Sequence, residues 1–248
     1  SEKIRAAGKM KYPYAAAYKA GWNLAEEFVN MYIGHGGEFF EAGSAKPSIN
    51  NAKGVATLNM LKKLADLSNP DYLTHDSEAI KVEWEAGNVA IMTLWASRSG
   101  TLLDDEGDAK ITAATKLVAP ATVGGGNIPA ATLWWDGFTL AKNRSDADAE
   151  ASFRAMAHAA SSKEMVAKAA DQAVWLVEGF VPGPKSVGVI EAVKMGAKPY
   201  PMLPQMGLMH GALGNEIVEF LQGNETAEQA LKDVEAAYNT KAKEQGFL

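Results

Sequence analysis

Apolar residues recur every three or four positions along much of the chain, which is the spacing of one face of an α-helix. Each of these segments is followed by Gly or Asn-Pro, which end helices. The pattern predicts helices over residues 22–32, 55–67, 77–86 and 213–221. Asn50 is the expected N-cap of the second of them. Three polar residues with an acidic or amide side chain three positions later predict further helix starts; these are Ser145, Ser161 and Thr226.

Other segments are continuously apolar or rich in β-branched and aromatic residues, which is typical of buried strands. We predict strands over 88–95, 110–119 and 135–141. Two Gly- and Pro-rich stretches, 124–129 and 179–188, are expected to be loops. Strands and helices are therefore mixed, with helix predominating, and the sequence predicts an α/β protein.

Composition narrows the function classes. The 248 residues are 47% hydrophobic and carry a formal net charge of −6, which suits one large or two small globular domains. A sequence pI near 5.3 argues against a nucleic-acid partner. Without cysteine the chain has no thiol catalysis, Cys-ligated zinc or disulfide. We find no phosphate, dinucleotide, zinc or nucleophile motif, and the four His are scattered, so no cofactor and no metal is expected.

Carboxylates leave an enzymatic alternative open, because glycoside hydrolysis needs two facing acids. The densest group, Asp104-Asp105-Glu106, precedes Gly107 in a predicted turn. A solvated loop is the better interpretation of this group.

The aromatic residues are more informative. Five of the six Trp fall near the ends of predicted elements or in loops: Trp22, Trp95, Trp134, Trp135 and Trp175. Adjacent side chains on a strand point to opposite faces, so Trp134 and Trp135 cannot both fill one core. One of them is expected to face a cleft, where an aromatic face beside Asp136 would suit a sugar. For any single Trp, core packing is the alternative.

Several short motifs follow one another along essentially the whole chain. They are Tyr12-Pro13-Tyr14 with Gly21-Trp22, Gly36-Gly37-Glu38-Phe39-Phe40, and the segments 85–95, 135–140, 161–164, 182–186, 204–206 and 227–232. In this order and spacing the sequence resembles the bacterial extracellular solute-binding proteins of family 1, the maltodextrin-type sugar receptors of ABC importers.

The resemblance implies a periplasmic-binding-protein type II-like α/β fold of two lobes that close on a ligand. The N-terminal β-α-β portion of the family has no counterpart here, so we expect an N-terminally truncated chain with one nearly complete lobe and part of the other. Residues 1–134 and 186–248 would form the second lobe, and 135–185 the crossing strand and a remnant of the first. The apolar residues stranded on that remnant predict self-association or a separate N-terminal fragment as partner; they are Phe138, Leu140, Phe153, Met156 and Val166.

The resemblance also implies a ligand site. Its expected residues are Trp95, Trp134, Trp135, Asp136, His210, Tyr18, Trp22, Trp175 and Lys185. Two departures from the family pattern matter: Trp134-Trp135-Asp136 replaces Gly-Gly-Trp, and His210 stands where the maltodextrin type has a stacking aromatic residue. These departures make a mono- or disaccharide or another polyol as suitable a ligand as a long maltodextrin.

The function implied is that of a non-enzymatic sugar receptor working with an ABC permease. Its place would be the periplasm, or the outer face of a membrane as a lipoprotein. A carbohydrate-active enzyme and a ligand-free sensor or interaction module are the alternatives, since a fold alone does not fix a function.

Overall fold

The computed structural model describes residues 1–104, 107–175 and 177–248. Asp105 and Glu106 of the acidic group considered above lie outside the described residues. The helices are α1 Glu2–Ala6, α2 Trp22–Gly34, α3 Ala52–Ala65, α4 Ser77–Glu85, α5 Ala96–Ser99, α6 Ala109–Ala114, α7 Asp146–Ser161, α8 Lys163–Lys168, α9 Val187–Lys194, α10 Met206–Glu216, α11 Val218–Gln222 and α12 Ala227–Glu244. The strands are β1 Tyr14–Ala15, β2 Ile91–Met92, β3 Thr132–Leu133 and β4 Lys198–Pro199.

The main core lies between α2, α3 and the C-terminal helices α10, α11 and α12. Each of these helices presents an apolar face inward, and the fully buried side chains include Phe28, Leu58, Leu61, Leu213 and Leu231. Burying such a side chain stabilises the fold by about 1.5–3 kcal/mol. The core therefore joins residues 14–67 to residues 206–242, across most of the chain length.

Two close approaches fix how these helices meet. Gly54 of α3 lies so near the Ile49 carbonyl that an added Cβ would stand 2.1 Å from its oxygen. Gly214 of α10 packs on the backbone of Gly21, where an added Cβ would stand 2.2 Å from the carbonyl oxygen. Gly21 itself has a φ of 95°, in the region that favours glycine. The start of α2 is thereby held directly against α10.

The strands form two small parallel sheets. Tyr14 of β1 pairs with Ile91 of β2. Thr132 of β3 pairs with Lys198 of β4. The strand predicted over 88–95 is thus confirmed only at Ile91–Met92.

Two strand predictions are wrong. Within 110–119 the chain forms α6, because the Asp108 side chain caps it by accepting from the Lys110 N–H at 2.7 Å. Residues 135–141 form no strand, and the nearest pairing stops at Leu133. All seven of these residues are exposed, and none of them pairs with a strand in the described part of the chain.

The helix predictions are confirmed with shifted ends. The N-cap of α3 is Asn51 rather than Asn50. The N-cap of α8 is Ser162 rather than Ser161, since Ser161 still belongs to α7. Ser145 and Thr226 cap α7 and α12 as predicted. The helix predicted over 213–221 is divided into α10 and α11, and Gly223 ends it with a φ of 84°.

The segment 135–183 is poor in buried side chains. Among its described residues Val166 is the buried hydrophobic, at 5% exposure. Met156 is half-buried, whereas Phe138, Leu140 and Phe153 are exposed. The prediction that the apolar side chains of this segment are exposed is therefore confirmed for Phe138, Leu140 and Phe153. It is only partly correct for Met156 and wrong for Val166.

Candidate functional site

Five aromatic rings converge where α2 begins, close to β3 and α10. The Trp22 ring lies 5.5 Å from Trp95, 5.7 Å from Trp134 and 4.8 Å from His210, measured between centroids. The Trp134 ring lies 4.2 Å from Tyr200. Such distances are those of interacting aromatic pairs, which contribute about 0.5–1.5 kcal/mol each beyond burial. We refer to Trp22, Trp95, Trp134, Tyr200 and His210 as the aromatic cluster.

His210 is the buried centre of this cluster, with an exposure of 4%. Its Nε2 lies 3.0 Å from the Trp22 carbonyl oxygen, which only accepts, so Nε2 carries the hydrogen. Burial lowers the pKa of His210 and favours the neutral ring. Nδ1 then accepts from the Tyr200 hydroxyl at 2.9 Å. The imidazole thus fixes both Trp22 and Tyr200 through its two nitrogens.

An open depression of about 240 Å³ lies over three of these rings, those of Trp22, Tyr200 and His210. Among the described residues its lining has no charged side chain and consists of Gly21, Trp22, Tyr200, Gly207, His210, Gly211 and Asn215. Gly207 and Gly211 lie four positions apart on α10, and an added Cβ at either would meet nothing within 4 Å. The two glycines therefore leave space above the rings, and Asn215 adds an amide at the edge.

A buried polar group lies behind the Trp134 ring. Glu26, one helical turn after Trp22, is 2% exposed and its Oε1 accepts from Thr132 Oγ1 at 2.6 Å. The same oxygen lies 3.2 Å from the Trp134 indole nitrogen. Burial raises the pKa of Glu26 to about 7 and that of the adjacent Glu27 to about 8.

The structure brings four of the residues predicted from the sequence together: Trp22, Trp95, Trp134 and His210. Trp134 enters the aromatic cluster while Trp135 is 71% exposed, so the two neighbouring indoles do point to different surroundings.

The other predicted residues lie elsewhere or make other contacts. Tyr18 is completely buried in the main core, edge-on to Tyr72, because its segment runs beneath the surface. Asp136 is exposed. Trp175 donates its indole N–H to the Ala169 carbonyl at 2.8 Å. Lys185 pairs with Asp104 at 2.5 Å.

Sequence reasoning missed Tyr200 and Glu26. Tyr200 lies in the Pro-rich stretch 199–204. The prolines predicted an irregular backbone there but gave no indication of a binding site. Glu26 follows Trp22 by four positions, a spacing that places both side chains on one face of a helix. That spacing was the available signal for Glu26.

The part of the chain that the structure describes holds no group of three His, Asp or Glu side chains able to bind a metal ion. In the same residues, none of the helices combines the length and apolar character needed to cross a bilayer.

Solved structures similar to this chain are solute-binding proteins. An ABC transporter solute-binding protein of Agrobacterium radiobacter K84 in complex with ribitol matches with a TM-score of 0.72 at 18% identity, over 96% of this chain and 62% of its own. Maltose-bound MalE3 of T. maritima matches with a TM-score of 0.73 at 18% identity, over 96% of this chain and 62% of its own. A solute-binding protein of Agrobacterium vitis S4 with bound D-mannitol matches with a TM-score of 0.66 at 17% identity, over 99% of this chain and 64% of its own.

No family model matches the sequence, and no curated protein matches it either. The structural likeness confirms the predicted fold class, the α/β fold of periplasmic solute-binding proteins. The chain spans about three fifths of the length of these neighbours.

Proposed function

We propose that this chain belongs to a solute receptor of an ABC sugar importer, and that its aromatic cluster holds a neutral sugar or polyol. The observation that carries the proposal is an open depression lined by the rings of Trp22, Tyr200 and His210, with Trp95 and Trp134 packed against the Trp22 ring and no charged side chain among the described lining residues. Ring faces stack on the C–H faces of such ligands, and the Asn215 amide can bond a hydroxyl.

The size of the depression favours a short ligand. About 240 Å³ is less than the 300–1,000 Å³ typical of a complete small-molecule pocket, as suits one wall of a cleft. A mono- or disaccharide or a linear polyol fits this wall better than a long maltodextrin. Ribitol, D-mannitol and maltose in the neighbouring structures belong to the same chemical class.

The proposed role is binding and delivery rather than catalysis. The residues that line the depression bring no carboxylate, whereas glycoside hydrolysis needs two. The receptor would close on its ligand and present it to a membrane permease, from the periplasm or from a lipid anchor outside the cell. The ABC transporter proteins among the structural neighbours support this role.

The lobe assignment made from the sequence is part of the proposal. Residues 1–134 and 186–248 would form one lobe, which agrees with a main core drawn from 14–67 and 206–242. Residues 135–185 would be the crossing segment and the remnant of the other lobe, and Trp135 and Asp136 would meet the ligand from there. The family-1 type of receptor is proposed on the order of the sequence motifs.

Calorimetry of the 248-residue chain with ribitol, mannitol, maltose and glucose tests the function. We expect saturable binding of at least one of them, with weak affinity because the depression is open to solvent. W22A should weaken binding about tenfold or more, since a stacked ring is lost. F153A removes an equally exposed aromatic residue on α7 and should leave binding unchanged. Equal affinity in wild type and W22A contradicts the site.

A further inference from the structure

Glu26 is a buried acid that faces an exposed ring. It lies on α2 and is 2% exposed, whereas Trp134 above it is 46% exposed. The Trp134 indole nitrogen lies 3.2 Å from Glu26 Oε1 and 3.0 Å from Thr132 Oγ1. The carboxyl and the hydroxyl therefore share the single indole hydrogen.

The local backbone explains this convergence. Thr132 begins β3 and Trp134 follows it by two positions, so both side chains point to the same side of the extended chain. Glu26 lies on that side because it follows Trp22 by one turn of α2. A half-exposed indole has several rotamers, and these two polar contacts select the one that lies against Tyr200.

We infer that Glu26 is a positioning residue of the aromatic cluster, which fixes the Trp134 ring against Tyr200 and Trp22 by accepting its indole N–H. The inference rests on the proposed function for its effect on ligand binding. Its effect on the Trp134 ring is measurable without a ligand.

Burial favours the neutral form of the Glu26 carboxyl. The side chain is 2% exposed, and its removal from water raises its pKa to about 7. The other oxygen, Glu26 Oε2, is buried without a hydrogen-bond partner, which costs a neutral carboxyl less than an ionised one.

Three titratable groups of the described residues bear on this carboxyl. Glu27 adjoins it on α2, Tyr200 interacts with it electrostatically, and His210 bonds Tyr200. Burial raises the pKa of Glu27 and of Tyr200 and lowers that of His210, so all three stay neutral near pH 7. None of the three therefore carries a positive charge that would stabilise the ionised form of Glu26.

Tryptophan emission and iodide quenching of the ligand-free chain test the inference. E26L removes one of the two acceptors and the carboxyl that holds the other, Thr132, and we expect the emission to shift to longer wavelength and quenching to increase as the Trp134 ring is loosened. The same change in a W134F background should have no such effect. E26Q keeps a neutral acceptor oxygen and should restore the wild-type emission, which a merely space-filling role of Glu26 would not require.

Titration of the same variants with a sugar or polyol measures the effect of Glu26 on ligand affinity. E26L should weaken sugar or polyol binding about tenfold in the wild-type background, and about as much as W134F does alone. The double variant should then bind no worse than W134F.

The outcomes separate the two proposals. If the wild-type chain binds none of the ligands, the proposed function fails, while the emission data still decide the role of Glu26. An emission shift that is absent in E26L, or is equally large in the W134F background, overturns the inference whatever the ligand data show.

Discussion

At the residue scale, the depression exists because two positions of α10 have no side chain. Gly207 and Gly211 are both exposed, and neither needs glycine for its φ, since neither is among the positive-φ glycines. Glycine in a helix costs about 0.5–1 kcal/mol relative to Ala. The chain carries that cost at the two positions that border the rings, which agrees with a role in binding.

G207A and G211A should therefore separate stability from binding. Each is expected to raise the free energy of unfolding by about 0.5–1 kcal/mol, because Ala favours the helix and its Cβ meets open space. Each should also weaken sugar or polyol binding, because the methyl group enters the depression. Urea unfolding and calorimetry measure both effects, and unchanged affinity in both variants would show that the ligand does not contact α10.

Glu26 and Glu27 make stability depend on pH. Their pKa values rise from 4.5 to about 7 and about 8, so the folded chain holds protons that the unfolded chain has lost. The free energy of unfolding should then fall as pH rises from about 5 to 8, by up to about 1.4 kcal/mol per pH unit for each proton. His35 and His210, whose pKa values are lowered, act in the opposite direction below about pH 7.

Urea unfolding of wild type and E27Q at pH 6, 7 and 8 measures this dependence. E27Q carries no titrating group at the position, so its stability should fall less steeply over this interval. Parallel slopes for the two chains would mean that Glu27 is ionised in the folded state.

At the element scale, helices were predicted better than strands, although the strand predicted over 88–95 is present at Ile91–Met92 and the helix α6 was predicted as a strand. Stripes such as Leu58, Leu61 and Leu64 mark a buried helix face wherever the fold places it. The strands are two residues long and parallel, so they show no alternation, and their partners are 77 and 66 positions away, as in Tyr14 with Ile91 and Thr132 with Lys198.

Some residues of the candidate site could be predicted from the sequence and others could not. Trp22, Trp95, Trp134 and His210 could be predicted, because large aromatic residues near element ends suggest a cleft. Tyr200 could not, because its place depends on the pairing of β3 with β4. Tyr18 was predicted as a ligand residue from its place in the sequence alone, and it is instead buried because its segment belongs to the core.

The N-cap residue of α3 should contribute more to the free energy of unfolding than the N-cap residue of α12. Asn51 accepts from the Lys53 and Gly54 N–H groups and donates to the Tyr32 hydroxyl at 2.9 Å. Thr226 accepts from the Gln229 N–H alone among the contacts of its side chain in the described residues. We expect N51A to lower the free energy of unfolding by about 2 kcal/mol and T226A by about 1 kcal/mol, measured by urea unfolding. A cost for N51A no larger than that for T226A would mean that the bonds from the Asn51 amide to the Tyr32 hydroxyl and the Ser48 carbonyl contribute nothing.

At the scale of the whole molecule, the segment 135–183 differs from the rest of the chain. It carries exposed Trp135, Phe138 and Phe153 at 71%, 64% and 59%, beside a single buried hydrophobic residue among its described positions. Large apolar side chains grouped on one segment favour association. The solved neighbours extend well beyond the matched region, which covers 62% of the ribitol-binding protein, so their folds hold further polypeptide that this chain does not align with.

We propose that this segment makes the 248-residue chain self-associate through a second copy. Light scattering at rising concentration should show a molar mass that increases toward twice 26.4 kDa. The variant F138S/F153S should stay monomeric with an unchanged unfolding midpoint, because both side chains are already exposed in the single chain. F39S offers the contrasting case, since Phe39 is buried in the main core at 4% exposure and its loss should lower stability. A wild-type chain that stays monodisperse and monomeric at all concentrations would contradict self-association through this segment.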